Sequence, residues 1–165
     1  MSVAIDLSGT RVLVVGGSAG IGRSLAVSAA TVGASVAVVG RSEDKLAEVA
    51  AHDAITAISA DIRDPDRCVG LVDEAVGALG GLDAVVVSSA VSPLALLESV
   101  SAETWNDVMI TNTVAPALIA QAALDHLSPG AVVAFISSIV VGLGHQGLAS
   151  YAASKAALDR TVRSW

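Results

Sequence analysis

Short runs of β-branched residues alternate with longer segments of helical character along the whole chain. The predicted strands are residues 11–15, 35–39, 55–59, 83–88 and 131–137. The first predicted helix ends near residue 31, and the other four cover residues 43–51, 66–79, 101–127 and 150–165. This alternation predicts a parallel sheet with helices on both faces, and right-handed crossovers then give the doubly wound strand order. The predicted fold class is α/β, a doubly wound, Rossmann-like parallel sheet with five visible strands.

The end of the chain limits this fold. The six-stranded doubly wound order requires another strand after the fifth. The chain of 165 residues stops inside the helix that follows strand five. We therefore expect residues 1–165 to form one nucleotide-binding domain that is incomplete at the C-terminus, with the final strands missing.

Composition excludes several kinds of partner. Hydrophobic residues make up 53% of the chain and aromatic residues only 2%, which suits buried parallel strands built from aliphatic side chains. The net charge of −7 argues against nucleic acid or an anionic membrane as the main partner. One cysteine, Cys68, allows no intrachain disulfide and no Cys-rich metal site. We expect a cytoplasmic protein without a metal, since no apolar run reaches about 18 residues and no secretory signal is visible.

A glycine-rich turn joins the first predicted strand to the first predicted helix. It reads Gly-Gly-Ser-Ala-Gly-Ile-Gly over residues 16–22. Binding a pyrophosphate at a helix N-terminus requires close approach of the backbone, which side chains at Gly16, Gly20 and Gly22 would block. A tight turn without a ligand is the alternative, and the position between strand and helix favours the nucleotide site.

The end of the second strand indicates the form of the cofactor. NAD-binding sites usually place an acid here for the ribose hydroxyls, whereas this chain has Gly40 and Arg41. A planar guanidinium can bind a 2′-phosphate by charge-assisted hydrogen bonds, so NADP is predicted and NAD is less favoured. A solvated arginine at a strand end is the alternative. Asp61, after the third strand, could bond the adenine amino group or be an ordinary loop residue.

The candidate catalytic groups lie in the last quarter of the chain. Ser137 and Ser138 close the fifth predicted strand, and Tyr151 and Lys155 follow on a helix. Their spacing of four residues places phenol and ammonium on one helical face. A nearby cation favours a phenolate, so the phenol can act as a general acid or base. A serine hydroxyl can hold the substrate oxygen.

Together these motifs resemble the short-chain dehydrogenase/reductase family, in its compact ketoreductase-like type, over the whole chain. The Gly-x-x-x-Gly-x-Gly spacing and the Ser…Tyr-x-x-x-Lys spacing carry the resemblance. It implies that Ser138 positions the substrate oxygen, Tyr151 transfers the proton, and Lys155 tunes Tyr151 and holds the nicotinamide ribose. It also implies that Asn112 supports Lys155 and a proton-relay water; a polar residue at a helix kink near Pro116 is the alternative. The implied cofactor contacts are Gly16, Ser18, Gly20, Ile21, Gly22, Arg41, Asp61, Ile62, Ala90, Tyr151 and Lys155.

The chain departs from the family pattern in three places. Val15 stands where the family usually has a threonine before the turn. After strand four the family usually reads Asn-Asn-Ala-Gly, and this chain reads Ser-Ser-Ala-Val over residues 88–91. The family's remaining strands and substrate lid have no counterpart before Trp165. The first two departures bear on how the cofactor fits, and the third bears on the activity of residues 1–165 alone.

Three classes of function follow. The first is an NADP(H)-dependent oxidoreductase that interconverts a carbonyl and an alcohol. The second is a non-catalytic or impaired nucleotide-binding or subunit-interaction module of the same family, and the third is an epimerase or dehydratase, which the glycine spacing disfavours. The apolar loops 91–97 and 139–148 predict an apolar small-molecule substrate, and the resemblance implies a homo-oligomer.

Overall fold

Five parallel strands form one sheet in the computed structural model, which describes residues 5–165. The strands are Arg11–Val15 (β1), Ser35–Gly40 (β2), Ile55–Ser59 (β3), Leu82–Val87 (β4) and Leu127–Phe135 (β5). Their order is β3-β2-β1-β4-β5, and each neighbouring pair is parallel. The predicted doubly wound α/β fold is confirmed.

Helices cover both faces of the sheet. They are Gly20–Thr31 (α1), Glu43–Val49 (α2), Pro65–Leu79 (α3), Ala102–Met109 (α4), Ala115–Ala123 (α5) and Ala149–Arg163 (α6). A π-helical turn over Ile110–Val114 joins α4 to α5, and short 3₁₀ turns cover Leu97–Ser99, Leu124–His126 and Ile139–Val141. These bounds agree with the predicted helices to within a few residues.

The central strand explains the aliphatic composition. Successive residues of a strand point to opposite faces, and in β1 both faces are buried. Leu13 packs in the layer formed with α3 and α5, and Val14 packs in the layer formed with α1 and α2. Both side chains are fully buried, so the strand is a continuous apolar run instead of an alternating one.

Local sequence signals set the helix ends. Ser101 caps α4, because its hydroxyl accepts a hydrogen bond from the backbone N–H of Thr104 at 3.1 Å, and serine is a preferred residue at this position. Asp64 caps α3 in the same way through Asp66, with Pro65 in the first turn. That helix ends at Gly80, which has a φ of 79°, a conformation that glycine adopts without strain.

The long segment Ala102–His126 passes, by length and composition alone, as a helix that could cross a membrane. In this fold it is a core element, because α5 packs on α3 and α4 packs on α6. Ile119, Ala120 and Ala123 of α5 are completely buried. The predicted interruption near Pro116 is confirmed, since the π-helical turn lies immediately before it, where a proline lacks the N–H for an ordinary helical bond.

The fifth strand differs from its prediction. It begins at Leu127, four residues earlier than predicted, and includes Pro129 and Gly130, which are residue types typical of turns. The structure keeps them in the strand, with a register shift against β4 between Leu82 and Ala84. The strand also ends at Phe135, so Ser138 lies in the turn that follows and does not close the strand.

Polar contacts tie three strands together at the amino-terminal edge of the sheet. Arg11 donates from its backbone N and its Nε to one carboxylate oxygen of Asp83, each at 2.9 Å, and its Nη2 donates to Ser128 Oγ at 2.6 Å. The guanidinium holds the pKa of the Asp83 carboxyl well below its usual range. This edge is therefore fixed by structural contacts, and the opposite, carboxyl edge is the one left for a ligand.

Candidate functional site

The glycine-rich turn begins directly after β1. Gly16 has a φ of 85° and Gly20 a φ of 54°, a region that disfavours other residues. The backbone N–H groups of Gly16 and Gly17 donate to the carbonyl of Val39 at 2.9 and 3.1 Å, which anchors the turn to β2. A side chain at Gly22 would collide with the Gly16 carbonyl oxygen. Gly16 and Gly22 are therefore required because backbone lies against backbone, whereas Gly20 is favoured by its positive φ alone.

The turn opens helix α1 toward a cleft. Ala19 precedes the helix without a side-chain cap, and the first turn contains no acidic residue. The free N–H groups and the positive end of a 12-residue helix therefore face outward at Gly20 and Ile21, which line the cleft. Such an arrangement suits an anionic group.

This cleft, called the glycine-turn cleft below, lies at the carboxyl edge of the sheet and has a volume of about 390 Å³. It spans the point between β1 and β4 where the strand order reverses, which is where doubly wound sheets bind ligands. Nearly all of the predicted cofactor contacts outside α6 line it: Gly16, Ser18, Gly20, Ile21, Arg41, Asp61, Ile62 and Ala90. The exception is Gly22, which is buried behind the turn.

Two arginines border the cleft, and they differ in their contacts. Arg63 binds the carboxylate of Asp61 through Nε at 3.0 Å and Nη2 at 2.6 Å, and it approaches Asp107 at 3.9 Å. The hydrogen bonds from Arg63 lower the pKa of Asp61, and the nearby charge of Arg41 acts in the same direction. Arg41 forms no ion pair within residues 5–165. It is thus the cation at this edge that is available to a ligand.

The segment after β4 forms the far wall. Ser88 and Ser89 donate their backbone N–H groups to the Val15 carbonyl at 2.8 and 3.2 Å. Their hydroxyls lie close to Gly22 and Gly16 respectively, within 2.9 Å of where a Cβ would stand. The serine side chains, which stand where the family pattern has asparagines, therefore lie directly against the glycine-rich turn.

Asn112 holds Val91, another residue of that wall, in place. It is completely buried, its Oδ1 accepts from the backbone N–H of Val91 at 2.8 Å, and its Nδ2 donates to the Val91 carbonyl at 2.8 Å. The same Nδ2 donates to the Ser154 hydroxyl at 3.0 Å. Asn112 therefore connects the cleft wall to helix α6, the helix that carries Tyr151 and Lys155.

Lys155 is buried, with only 2% of its surface exposed. Its Nζ donates to the Ile136 carbonyl at 2.6 Å and lies 6.0 Å from the centre of the Tyr151 ring. Burial lowers the pKa of its ammonium. Within residues 5–165 its side chain makes no bond to Asn112, so the support of Lys155 by Asn112 remains a prediction.

The serine of the predicted set lies at the start of a 3₁₀ turn. The Ser138 hydroxyl accepts a weak hydrogen bond from the backbone N–H of Val140 at 3.4 Å. No hydrogen bond joins Ser138 to Tyr151 in the described part of the chain, and neither residue lines the glycine-turn cleft. The structure thus joins Tyr151 and Lys155 on one helix, and leaves both hydroxyls without a strong internal partner.

Three residues of this region were missed in the sequence. Arg63 follows Asp61 by two positions, a spacing that could have indicated their ion pair. Ser154 accepts from Asn112 and donates to the Tyr151 carbonyl at 2.7 Å; its place beside Lys155 gave no signal, since the contact joins residues 42 positions apart. Thr111 lines the cleft beside Asn112. No cluster of three or more potential metal ligands occurs within residues 5–165.

The fold and the cleft define a nucleotide-binding α/β domain, and comparison with known proteins gives its family. The family model described as short chain dehydrogenase matches residues 10–165. A hydroxynaphthalene reductase of Aspergillus fumigatus is 41% identical over 96% of this chain and 60% of its own length. A gluconate 5-dehydrogenase of Gluconobacter oxydans is 34% identical over 96% of this chain and 64% of its own.

Solved structures agree with this result. A short chain dehydrogenase of Burkholderia cenocepacia, in complex with NADP, superposes with a TM-score of 0.90 at 31% identity, over 97% of this chain and 68% of that one. A Serratia marcescens short-chain dehydrogenase/reductase gives a TM-score of 0.92 at 29% identity over the same shares. The chain belongs to the short-chain dehydrogenase/reductase family of oxidoreductases. It spans about 60% of the length of the curated relatives it matches.

Proposed function

We propose that this chain is the cofactor-binding and catalytic part of a cytoplasmic NADP(H)-dependent oxidoreductase that interconverts a carbonyl and an alcohol. The observation that carries the proposal is the link through Asn112, which joins the wall of the glycine-turn cleft to the helix of Tyr151 and Lys155. A nucleotide site and a candidate proton-transfer site are thereby held in one rigid arrangement. The relatives' names, reductase and dehydrogenase among them, favour this function over the non-catalytic module.

The residues of the cleft fit a dinucleotide phosphate. Gly16 and Gly22 leave a cradle that a Cβ would fill, and the first turn of α1 offers free N–H groups to a pyrophosphate. Arg41 offers an unpaired guanidinium to a 2′-phosphate, with Gly40 in place of the acid that would repel it. One structural relative is a complex with NADP, which agrees with this assignment.

When bound, the nicotinamide supplies or accepts the hydride at the substrate carbon. In reduction, the Tyr151 hydroxyl gives its proton to the substrate oxygen, so that the carbonyl becomes an alcohol; in oxidation it takes the proton back. The Ser138 hydroxyl holds that oxygen by a hydrogen bond. Lys155 keeps a buried positive charge beside the Tyr151 ring, which favours the anionic form of the phenol after the proton has left.

The loops near Tyr151 support an apolar substrate. The backbone N–H of Ala95 donates to the Gly147 carbonyl at 3.0 Å, so the loop after β4 meets the loop before α6. Large apolar side chains are exposed on both loops: Leu94, Leu97, Ile139 and Leu143. Exposed apolar groups clustered in one place often mark a binding surface. An aromatic or aliphatic ketone is therefore the substrate class to test first.

The cofactor assignment is tested with Arg41→Ala. NADPH should bind the wild-type protein more tightly than NADH, and the substitution should weaken NADPH binding about ten- to a hundredfold, the value of one charge-assisted contact. NADH affinity should hardly change. Calorimetric titration of both cofactors measures this.

The matched control is Arg67→Ala. Arg67 is likewise a surface arginine, but it is paired with Glu74 at 2.8 Å and does not line the cleft. Its removal should leave both affinities unchanged. Equal affinities for NADPH and NADH in the wild-type protein would contradict the assignment to NADP.

We also propose that the chain forms a homo-oligomer. No residue of β5 is fully buried, Val132 is 59% exposed, and no strand pairs with the outer edge of β5 within residues 5–165. Exposed apolar edges favour pairing with another chain. Light scattering of the 165-residue chain across a dilution series should show self-association, which Val132→Lys should reduce. A monomer at all concentrations would contradict this proposal.

A further inference from the structure

One buried polar atom in the cleft wall has no internal partner. Thr111 is 7% exposed and lies in the π-helical turn between α4 and α5. Its Oγ1 is the only buried side-chain nitrogen or oxygen without a hydrogen bond within residues 5–165. Buried hydroxyls are normally paired, and one left unpaired is destabilising. A site that keeps such a group needs an explanation.

Thr111 lacks the kinds of partner that two other threonines of the chain have. In a regular helix a threonine hydroxyl often bonds the carbonyl four residues earlier, as Thr161 does with Ala157 at 3.0 Å. Thr113, two residues after Thr111 in the same turn, is satisfied by the Ser154 carbonyl at 2.9 Å. Thr111 has neither kind of partner.

The surroundings of Thr111 identify what it faces. It lines the glycine-turn cleft with Asp61, Ile62, Ala90 and Val91, the residues predicted to surround the adenosine half of the cofactor. It also lines a second cleft that continues past Arg41 and Arg63. Thr111 therefore borders the space that a nucleoside would occupy, and its Oγ1 is buried from bulk water.

The polar group that the sequence predicts for adenine is already engaged. Both oxygens of Asp61 accept from Arg63, whose Nε, Nη2 and backbone N–H all donate to the carboxylate. Thr111 Oγ1 can both donate and accept. Among the buried side-chain groups of this wall, it is the one whose hydrogen-bonding capacity is unused.

We propose that the Thr111 hydroxyl is a binding contact for the adenosine half of the cofactor. The inference rests on the proposed function, since it assumes a dinucleotide in this cleft. The bound nucleoside satisfies the hydroxyl, and the free protein carries it unpaired. Cofactor binding and the stability of the free protein consequently depend on this hydroxyl in opposite directions.

Because loss of the hydroxyl should lower cofactor affinity without lowering the stability of the free protein, one substitution tests the proposal. Thr111→Val removes the hydroxyl and keeps the shape of the side chain. We expect it to weaken binding of NADPH, NADH and adenosine 2′,5′-bisphosphate by a similar factor of about two to ten, the range for one neutral hydrogen bond. The Tm of the free protein should stay the same or rise. Thr111→Ser, which retains the hydroxyl, should bind all three close to the wild-type affinity.

Thr113→Val is the matched control, because it lies in the same turn and its hydroxyl is paired with α6. It should lower the Tm and leave the affinity for adenosine 2′,5′-bisphosphate nearly unchanged. If Thr111→Val binds like the wild type while Arg41→Ala is weakened, the inference is wrong and the proposed function stands. If Thr111→Val lowers Tm together with affinity, the hydroxyl is structural and the inference is wrong. If the wild-type protein binds no NADPH, both fail.

Discussion

Tyr151→Phe should lower the turnover of a carbonyl substrate by about 10²- to 10⁴-fold, the usual contribution of general acid–base catalysis. The affinity for NADPH should stay close to wild type. The phenol hydroxyl makes no hydrogen bond within residues 5–165, and the ring, which is only partly buried, is retained. The substitution therefore removes the proton donor with little cost to folding, and single-turnover reduction in a preparation that shows activity measures the effect.

Lys155→Ala should behave differently. The Lys155 ammonium is buried and donates a hydrogen bond to the Ile136 carbonyl at 2.6 Å. Its loss therefore removes a structural contact together with the charge beside Tyr151. We expect both turnover and Tm to fall. A Tyr151→Phe enzyme with unchanged kcat would show that another residue transfers the proton.

Two adjacent serines provide the matched control for the same site. Ser137 and Ser138 both lie in the turn after β5, and the family resemblance assigns the substrate contact to Ser138. Ser138→Ala should reduce turnover, whereas Ser137→Ala should leave it unchanged. Equal losses in both variants would show that the turn itself, and not one hydroxyl, is what the substitutions disturb.

The nucleotide-binding half of the molecule was largely predictable from sequence because its signals are local. Strand β1, the glycines of the turn and helix α1 are consecutive in the chain, and each glycine has a steric reason that a sequence reader can supply. Arg41 follows β2 directly, and the carboxyl ends of parallel strands share one edge. The predicted residues consequently meet in one cleft.

The contacts that hold the two halves together were not predictable. Asn112 bonds Val91 and Ser154, which are 21 and 42 residues away, and no local pattern indicates such pairs. The start of β5 was missed because Pro129 and Gly130 are typical of turns, whereas the structure includes them in the strand at a register shift against β4. The π-helical turn and the unpaired hydroxyl of Thr111 depend on tertiary packing and have no sequence signature.

Gly22→Ala should damage stability and cofactor binding together. Gly22 lies in the first turn of α1, where an added Cβ would stand against the Gly16 carbonyl oxygen and 2.9 Å from Ser88 Oγ. Backbone cannot rotate away as a flexible side chain can, so the glycine-rich turn and the helix must separate. Overpacking of this kind costs about 1–3 kcal/mol in the free energy of unfolding.

The same displacement acts on the ligand, because Gly16 and Gly20 line the cleft and must keep their positions to approach a pyrophosphate. We expect NADPH affinity to fall by at least about tenfold, corresponding to a loss of the order of 1.4 kcal/mol. Chemical denaturation and calorimetric titration of the same variant measure the two effects.

Gly77→Ala is the control that separates this steric effect from glycine's general effect on helices. Gly77 is also helical, in α3, and an added Cβ there meets nothing within 4 Å. Alanine should therefore raise the free energy of unfolding by about 0.4–1 kcal/mol, since it restricts the unfolded chain and suits a helix. The two substitutions are chemically identical and should have opposite signs. If Gly22→Ala were as stable as Gly77→Ala and bound NADPH normally, the turn would not need close backbone contact, and the cleft would have to bind its cofactor without the glycine cradle.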